Sequence, residues 1–220
     1  DGTLVDSFPS ILHSTRRIFA EAGLSEPDET EARRAIADGR GLEYYLKILH
    51  PGLDDLQVEE WKIRWREIYD AEAHPFTRPY DGALETLGHL MEAGLSCAII
   101  SNKGTPALVR SVNEHGFGPL AGLVLGDEPG QPKKPKPEMF TERIAPLYPG
   151  LDPMRVLMVG DSESDLRFGR AIGANICFAS YGYGQEAACL AQEPDMIIDQ
   201  VTELQQLISD NPVREHHGQA

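Results

Sequence analysis

Beyond Pro79-Tyr80-Asp81-Gly82 the chain alternates short apolar runs with helical stripes, and no other feature restricts its fold so much. Leu84, Leu87 and Met91 recur at helical spacing up to Gly94, and Ser96-Cys97-Ala98-Ile99-Ile100 follows as a buried strand. Thr105-Pro106 reads as an N-cap with proline in the first turn of a helix running to Gly116. Leu123-Val124-Leu125 is the next strand, and Pro137 to Ala145 the next helix. Val156 to Val159 is a strand, Ser162 to Ile172 a helix closed by Gly173, and Asn175 to Ala179 and Met196 to Ile198 end the series. Runs this short and this continuously apolar suit strands buried on both faces. The alternation predicts an α/β fold, a Rossmann-like parallel sheet with helices on both faces. Ligands of such a sheet bind at the carboxyl ends of its strands.

The stretch from Phe8 to Arg78 has a different texture, with helical spacing throughout and no strand pattern. Ile11, Thr15, Ile18, Phe19 and Ala22 form one stripe ended by Gly23. Leu42, Tyr45, Leu46 and Leu49 form a second, closed by Pro51-Gly52, and Trp61, Trp65, Ile68 and Tyr69 a third. At 220 residues the chain has room for one large domain or for a domain with a second inserted in it. Its net charge of -15 argues against a general nucleic-acid or anionic-membrane binder. No apolar run approaches the roughly 20 residues of a membrane span, and no secretory signal pattern opens the sequence. Cys97, Cys177 and Cys189 lack C-x-x-C spacing. Cys97 and Cys177 lie in apolar runs and read as buried free thiols of a reduced, cytoplasmic compartment. The tail from Asn211 to Ala220 is polar and expected to fray, which leaves His216-His217 a weak metal candidate.

Four motifs punctuate this framework in order: Asp1-Gly2-Thr3-Leu4, Ile100-Ser101-Asn102-Lys103, Lys134-Pro135-Lys136-Pro137-Glu138, and Gly160-Asp161-Ser162-Glu163-Ser164-Asp165. Asp161 ends an apolar run, and Asp165 follows one helical turn later on the same face. Two carboxylates there suit a hard cation such as Mg2+, or they are the ordinary acids of a helix N-terminus. Ser101-Asn102 also follows a buried run, where a hydroxyl and backbone N–H groups form a phosphate cradle or a plain turn. Prolines stiffen the loop around Lys134, so this lysine can be aimed at a transferring phosphoryl group, whereas Lys133 and Lys136 read as solvated. Asp1-Gly2 is a sharp turn signal.

Taken together these motifs resemble the haloacid dehalogenase superfamily, whose phosphatases begin D-x-D-G-T after an apolar strand. D-G-T-L-V-D-S, I-S-N-K, K-P-K-P-E and G-D-S-E-S-D match its four motifs. Tyr80-Asp81-Gly82 and Gly182-Tyr183-Gly184 resemble the branch that contains phosphoglycolate phosphatase. The resemblance implies a catalytic core at 1–8 and 79–220 with an inserted all-helical cap at 9–78. It implies a Mg2+-dependent phosphatase acting on a small phosphorylated metabolite through an aspartyl-phosphate. Asp1 would be the general acid and base, and Asp1 (through its carbonyl), Asp161 and Asp165 would serve the metal. Ser101 and Lys134 would hold phosphoryl oxygens, and Asn102 would line the cradle. The attacking aspartate belongs two residues before Asp1, on a central strand, so the sequence is expected to be the remainder of a longer active enzyme.

In such enzymes the cap contacts the substrate beyond its phosphate. The loop Asp38-Gly39-Arg40-Gly41 is the candidate, with Arg40 placed to pair a carboxylate or a second phosphate; an exposed arginine on a glycine turn is the competing reading. A sugar-phosphate mutase shares the four motifs. A dehalogenase lacks the acid that Asp1 supplies. A catalytically silent phosphate binder is the reading if no nucleophile exists. A receiver domain does not explain the long insertion, and no G-x-G-x-x-G supports a dinucleotide site. The sequence carries no signal of oligomeric state.

Overall fold

The computed structural model describes residues 1–206. The first crossing strand, β1 (Val5–Asp6), leads into α1 (Phe8–Glu21), α2 (Glu29–Ala37), α3 (Leu42–Leu49) and α4 (Asp55–Ile68). A wide π-type turn (Tyr69–Ala73) and a short 3-10 turn return the chain to β2 (Arg78–Pro79). The α/β part then runs α5 (Ala83–Glu92), β3 (Ala98–Gly104), α6 (Thr105–Glu114), β4 (Leu123–Asp127), β5 (Leu157–Gly160), α7 (Glu163–Ile172), β6 (Asn175–Ala179), α8 (Glu186–Leu190) and β7 (Met196–Ile198). The tail at 211–220, with His216 and His217, lies outside the described residues.

Local sequence explains most of these boundaries. Asp28 accepts the backbone N–H of Glu31 to start α2, and a reciprocal Asp54–Gln57 capping box starts α4. Ser162 and Asp165 form the same box at α7, which Gly173 ends. Helices α1 to α4 close on a core of their own, with Phe8, Ile11, Phe19, Leu46, Trp65 and Ile68 buried together. Inside it Thr15 satisfies three neighbours' polar atoms: its hydroxyl donates to the Ile11 carbonyl, accepts from the Trp65 indole and meets the Tyr45 hydroxyl. Such pairing is what makes polar groups tolerable in a core.

Strands β5, β6 and β7 are parallel and in register, with Leu157 opposite Asn175 and Cys177 opposite Met196. Along β6 the side chains alternate between two cores. Ile176 and Phe178 join Met139, Phe140, Leu166 and Phe168 on one face, and Cys177 and Ala179 join Leu87, Leu108, Val112 and Ile198 on the other. A strand buried on both faces gives the continuous apolar run seen in the sequence. Strands β1 and β2 pair antiparallel, Val5 with Pro79 and Asp6 with Arg78, so the chain leaves and re-enters the α/β part at one place.

Several expectations are corrected. The parallel strands form two half-sheets, β3–β4 and β5–β6–β7, in place of one. Strands β3 and β5 line a shared cavity of about 750 Å3, with Val5, Ile99, Leu108, Leu157 and Val159 among its apolar walls. Thr105 is the first residue of α6, and Gly104 occupies the cap position. Residues Met139–Ile144 form a π-type turn where a regular helix is expected. Cys97 is only partly buried, although no cysteine among the described residues is paired. No helix among the described residues is long and apolar enough to cross a membrane.

Candidate active site

The acids and lysines singled out in the sequence converge where β3 and β5 end. Asp1, Ser101, Lys134 and Asp165 all line the cavity between the half-sheets. Lys134 reaches across to Asp165, Nζ to Oδ1 at 2.6 Å, and donates also to the Ile100 carbonyl at 3.1 Å. The other Asp165 oxygen accepts from the Ser162 backbone N–H and hydroxyl, at 3.0 and 2.7 Å. Burial opposes the Asp165 charge, but Lys134 and the Ser162 bonds outweigh it and hold this carboxyl below its usual range.

Asp161 has the opposite environment. It is 4% exposed, and no lysine, arginine or histidine among the described residues pairs with it. The Thr3 hydroxyl donates to its Oδ1 at 2.8 Å and the Tyr183 backbone N–H to its Oδ2 at 2.9 Å. Burial, then the nearby Asp165 charge, raises its pKa. The loop after β6 wraps it closely. A Cβ on Gly182 would lie 2.2 Å from the Asp161 Cβ, and one on Gly184 would lie 1.9 Å from its carbonyl oxygen. Only glycine permits that approach.

Ser101 and Asn102 sit on β3. The Ser101 hydroxyl accepts the Lys103 backbone N–H at 3.1 Å. Asn102 bridges two segments, its Nδ2 donating to the Gly39 carbonyl at 2.8 Å and to the Lys134 carbonyl at 3.0 Å. Among the described residues its buried Oδ1 has no partner, nor has the buried Ser164 hydroxyl. Gly39 has φ +64°, and a Cβ there would stand 2.3 Å from the Ser162 hydroxyl. The loop between α2 and α3 therefore rests directly on the start of α7. Arg40 in that loop is exposed and stacks its guanidinium 4.2 Å from the Tyr44 ring. It stays on the helical block and does not join the acids. Lys133 pairs with Asp127 at 3.1 Å, so it is less solvated than its sequence suggests.

Three functional neighbours escape the sequence reading. Lys103 lies with its Nζ 3.0 Å from Asp1 Oδ1 and 2.5 Å from the Tyr69 hydroxyl, and so links the acid to the helical block. Thr3 and Tyr183 take one Asp161 oxygen each. Tyr183 had a signal in Gly182-Tyr183-Gly184, since a residue between two glycines belongs to a loop under close approach. Nothing local marks Thr3 or Lys103 apart from their places inside motifs.

A divalent cation fits one point of this set. A buried carboxylate with oxygen donors around it and no basic partner is the chemistry a hard cation satisfies. Among the described residues no three acidic, histidine or cysteine side chains form a metal cage. The reason is that Asp165 is committed to Lys134 and Ser162, and the Asp1 carboxylate to Lys103. Asp161 is thus the side-chain ligand that the site offers, with Asp165 behind it.

Parallel strands carrying acids and lysines together, beside a packed helical block, define an α/β protein. Residues 1–179 match the family of haloacid dehalogenase-like hydrolases. The phosphoglycolate phosphatase of Pseudomonas savastanoi pv. phaseolicola is 31% identical over 212 residues, covering 93% of this chain and 75% of that protein. That of Haemophilus influenzae is 29% identical over 215 residues, covering 93% of each. A haloacid dehalogenase-like hydrolase structure from Bacteroides fragilis superposes with a TM-score of 0.84 at 26% identity, covering 93% of this chain and 95% of that one. The chain belongs to the haloacid dehalogenase-like hydrolase family.

Proposed function

We propose that this protein is a Mg2+-dependent, cytoplasmic phosphatase of small, phosphoglycolate-like phosphate monoesters, working through an aspartyl-phosphate. The observation that carries the reading is the buried Lys134–Asp165 pair beside the unpaired Asp161 at the ends of β3 and β5. With Asp1 protonated for its role as acid, two carboxylates (Asp161 and Asp165) face two ammonium groups (Lys103 and Lys134), so the site has no surplus positive charge for a phosphate. A phosphate dianion needs further positive charge, and a divalent cation on Asp161 supplies it. The names of the relatives support the phosphate ester as substrate.

The attacking carboxylate belongs two residues before Asp1, in an extended segment lying between β3 and β5. The cavity there supports this placement. It is lined by apolar residues of both strands, Ile99 and Ile100 from β3 and Leu157 and Val159 from β5, surface that a further apolar strand would cover. Among the described residues β3 pairs only with β4, and β5 only with β6, so each has an edge there without a ladder partner.

In the first step the carboxylate forms a bond to phosphorus, the ester P–O bond breaks, and Asp1 gives its proton to the leaving alkoxide. In the second step water attacks the phosphorus of the acyl phosphate. Asp1 takes its proton, and inorganic phosphate and free carboxylate result. Lys134, held by Asp165, and the Ser101 hydroxyl orient phosphoryl oxygens. Lys103 keeps the Asp1 carboxylate directed into the site. The helices of 9–78 act as a cap that excludes water when Gly39 seats on α7.

The test is to express the gene with its codons upstream of Asp1 and assay phosphate release from small esters with and without Mg2+. Mg2+-dependent release that disappears on replacing the upstream aspartate by asparagine is expected. A change of phosphate position within a sugar, with no inorganic phosphate released, would mean a mutase. Absence of both activities would sink the reading.

A further inference from the structure

Tyr183 touches both Asp161 and the start of the helical segment. At one end its backbone N–H donates to Asp161 Oδ2 at 2.9 Å. At the other its phenol oxygen accepts the backbone N–H groups of Ser7 and Phe8, at 2.7 and 2.9 Å, and donates to Asp6 Oδ1 at 2.8 Å. Burial pushes the phenol pKa up, so the hydroxyl keeps the proton it donates to Asp6.

Ser7 and Phe8 open α1, where unsatisfied N–H groups normally take a capping side chain. Ser7 sits at the cap position, but its hydroxyl is buried without a partner and makes no cap bond. The Tyr183 phenol takes the Ser7 and Phe8 N–H groups, and shares the second with Asp6 Oδ1 at 3.1 Å. Asp6, its acceptor, pairs with Arg78 in the short ladder through which the chain crosses to the helical block and back. The Tyr183 ring also packs near Phe8, with centroids 6.2 Å apart.

This side chain transmits displacement well. It has two rotatable bonds, and its flanking glycines lie so near Asp161 that a Cβ on either would clash with it. A shift of Asp161 therefore carries the loop with it, and the phenol shifts relative to the start of α1.

We propose that Tyr183 is a positioning residue that couples cation occupancy at Asp161 to the setting of the hinge at Asp6–Phe8. The inference rests on the reading above, in which Asp161 holds Mg2+ and 9–78 is a cap. The cation then tightens the hinge before substrate arrives, and an empty site loosens it. Coupling of this kind is reciprocal, so a hinge that has lost its phenol binds Mg2+ more weakly.

The experiment uses the full-length protein and Mg2+ as the probe. Hydrogen exchange at the Ser7 and Phe8 amides is measured with and without Mg2+, and Mg2+ affinity by calorimetry. In the wild type, Mg2+ is expected to slow exchange at both amides. In Tyr183→Phe, their exchange is expected to be about five- to tenfold faster, as for an ordinary lost hydrogen bond. The response to Mg2+ is expected to vanish, and Mg2+ to bind about tenfold more weakly, as for a lost outer-shell partner. Asp6→Ala removes the acceptor of the phenol proton and also a 3.1 Å acceptor of the Phe8 N–H, so it is read at the Ser7 amide and by calorimetry, where it is expected to shift exchange and Mg2+ affinity the same way. If the wild type binds Mg2+ and its hinge amides do not respond, the coupling is refuted whatever the variants do. A Tyr183→Phe protein that responds like the wild type refutes it as well. A wild type that binds no Mg2+ at all overturns the phosphatase reading itself, a result distinguishable from either.

Discussion

Lys134 and Asp165 are buried together, with side chains 9% and 8% exposed, and a buried pair is strong only while both partners remain. Replacing Lys134 by Met leaves Asp165 charged and alone, which is expected to cost about 3–5 kcal/mol of unfolding free energy at pH 7. The sign of the pH dependence follows from the Asp165 shift. Its folded pKa is depressed, so its contribution is present above the unfolded value near 3.9 and is lost as pH falls through the folded value. In the variant the carboxyl is relieved by protonation, and so the gap between variant and wild type narrows towards pH 4. Urea melts at pH 7 and near pH 4 measure both quantities; a gap that widened on acidification would contradict the assignment. Asp161 has the opposite sign. Its raised folded pKa means that its charge burdens the metal-free protein at neutral pH, a burden relieved as pH falls. Asp161→Asn is therefore expected to melt at or above the wild-type Tm in chelator and to gain nothing from added Mg2+, by calorimetry. Asp161 and Asp165 were legible from their spacing after an apolar run. Thr3 and Tyr183 were not, because they meet Asp161 across 158 and 22 residues of chain, and only the folded backbone brings them there.

The helix that carries the acid pair satisfies both readings of its sequence at once. Asp165 caps α7 through Ser162 and also anchors Lys134, so helix-start chemistry and site chemistry are one set of bonds. Elements with strong local signals matched their sequence: α3 spans Leu42–Leu49 and β6 spans Asn175–Ala179. Elements shaped by tertiary packing did not. Residues 139–144 have helical composition, but Met139, Phe140 and Ile144 are all buried against β5 and β6, and the backbone widens into a π-type turn to bury them. Strand β3 runs on to Gly104, past the apolar run that announced it, because Gly104 still pairs with Asp127. The loop between α2 and α3 has a consequence that can be tested at this scale. Gly39→Ala puts a methyl where the Ser162 hydroxyl lies, at a φ of +64° that a side chain resists. The loop is expected to seat imperfectly, with kcat/KM falling by about 10²-fold, well beyond the modest fall in Tm that the strained backbone brings, as read by steady-state kinetics beside thermal melts. A matched loss of Tm and activity would mean that the loop is only structural.

Across the whole molecule, two cores flank the strands and a third belongs to the helices. The alternating rhythm announced the parallel strands and the helical insertion, but not which strands pair, since pairing between strands distant in sequence leaves no local mark. The cavity between β3 and β5 makes a prediction of its own. A chain starting at Asp1, mixed with a synthetic peptide of the residues encoded just upstream, is expected to take the peptide up as a parallel strand. Its Tm would rise with peptide concentration, and phosphate release would appear; a scrambled peptide giving the same rise would refute strand insertion. The two-residue ladder of β1 and β2 has a different kind of consequence. Because the chain departs and returns side by side, everything between Asp6 and Arg78 hangs from the rest like a pendant on one clasp. Insertions are tolerated at such adjoining ends, so the pendant can lengthen, shorten or be replaced while the clasp itself remains as it is.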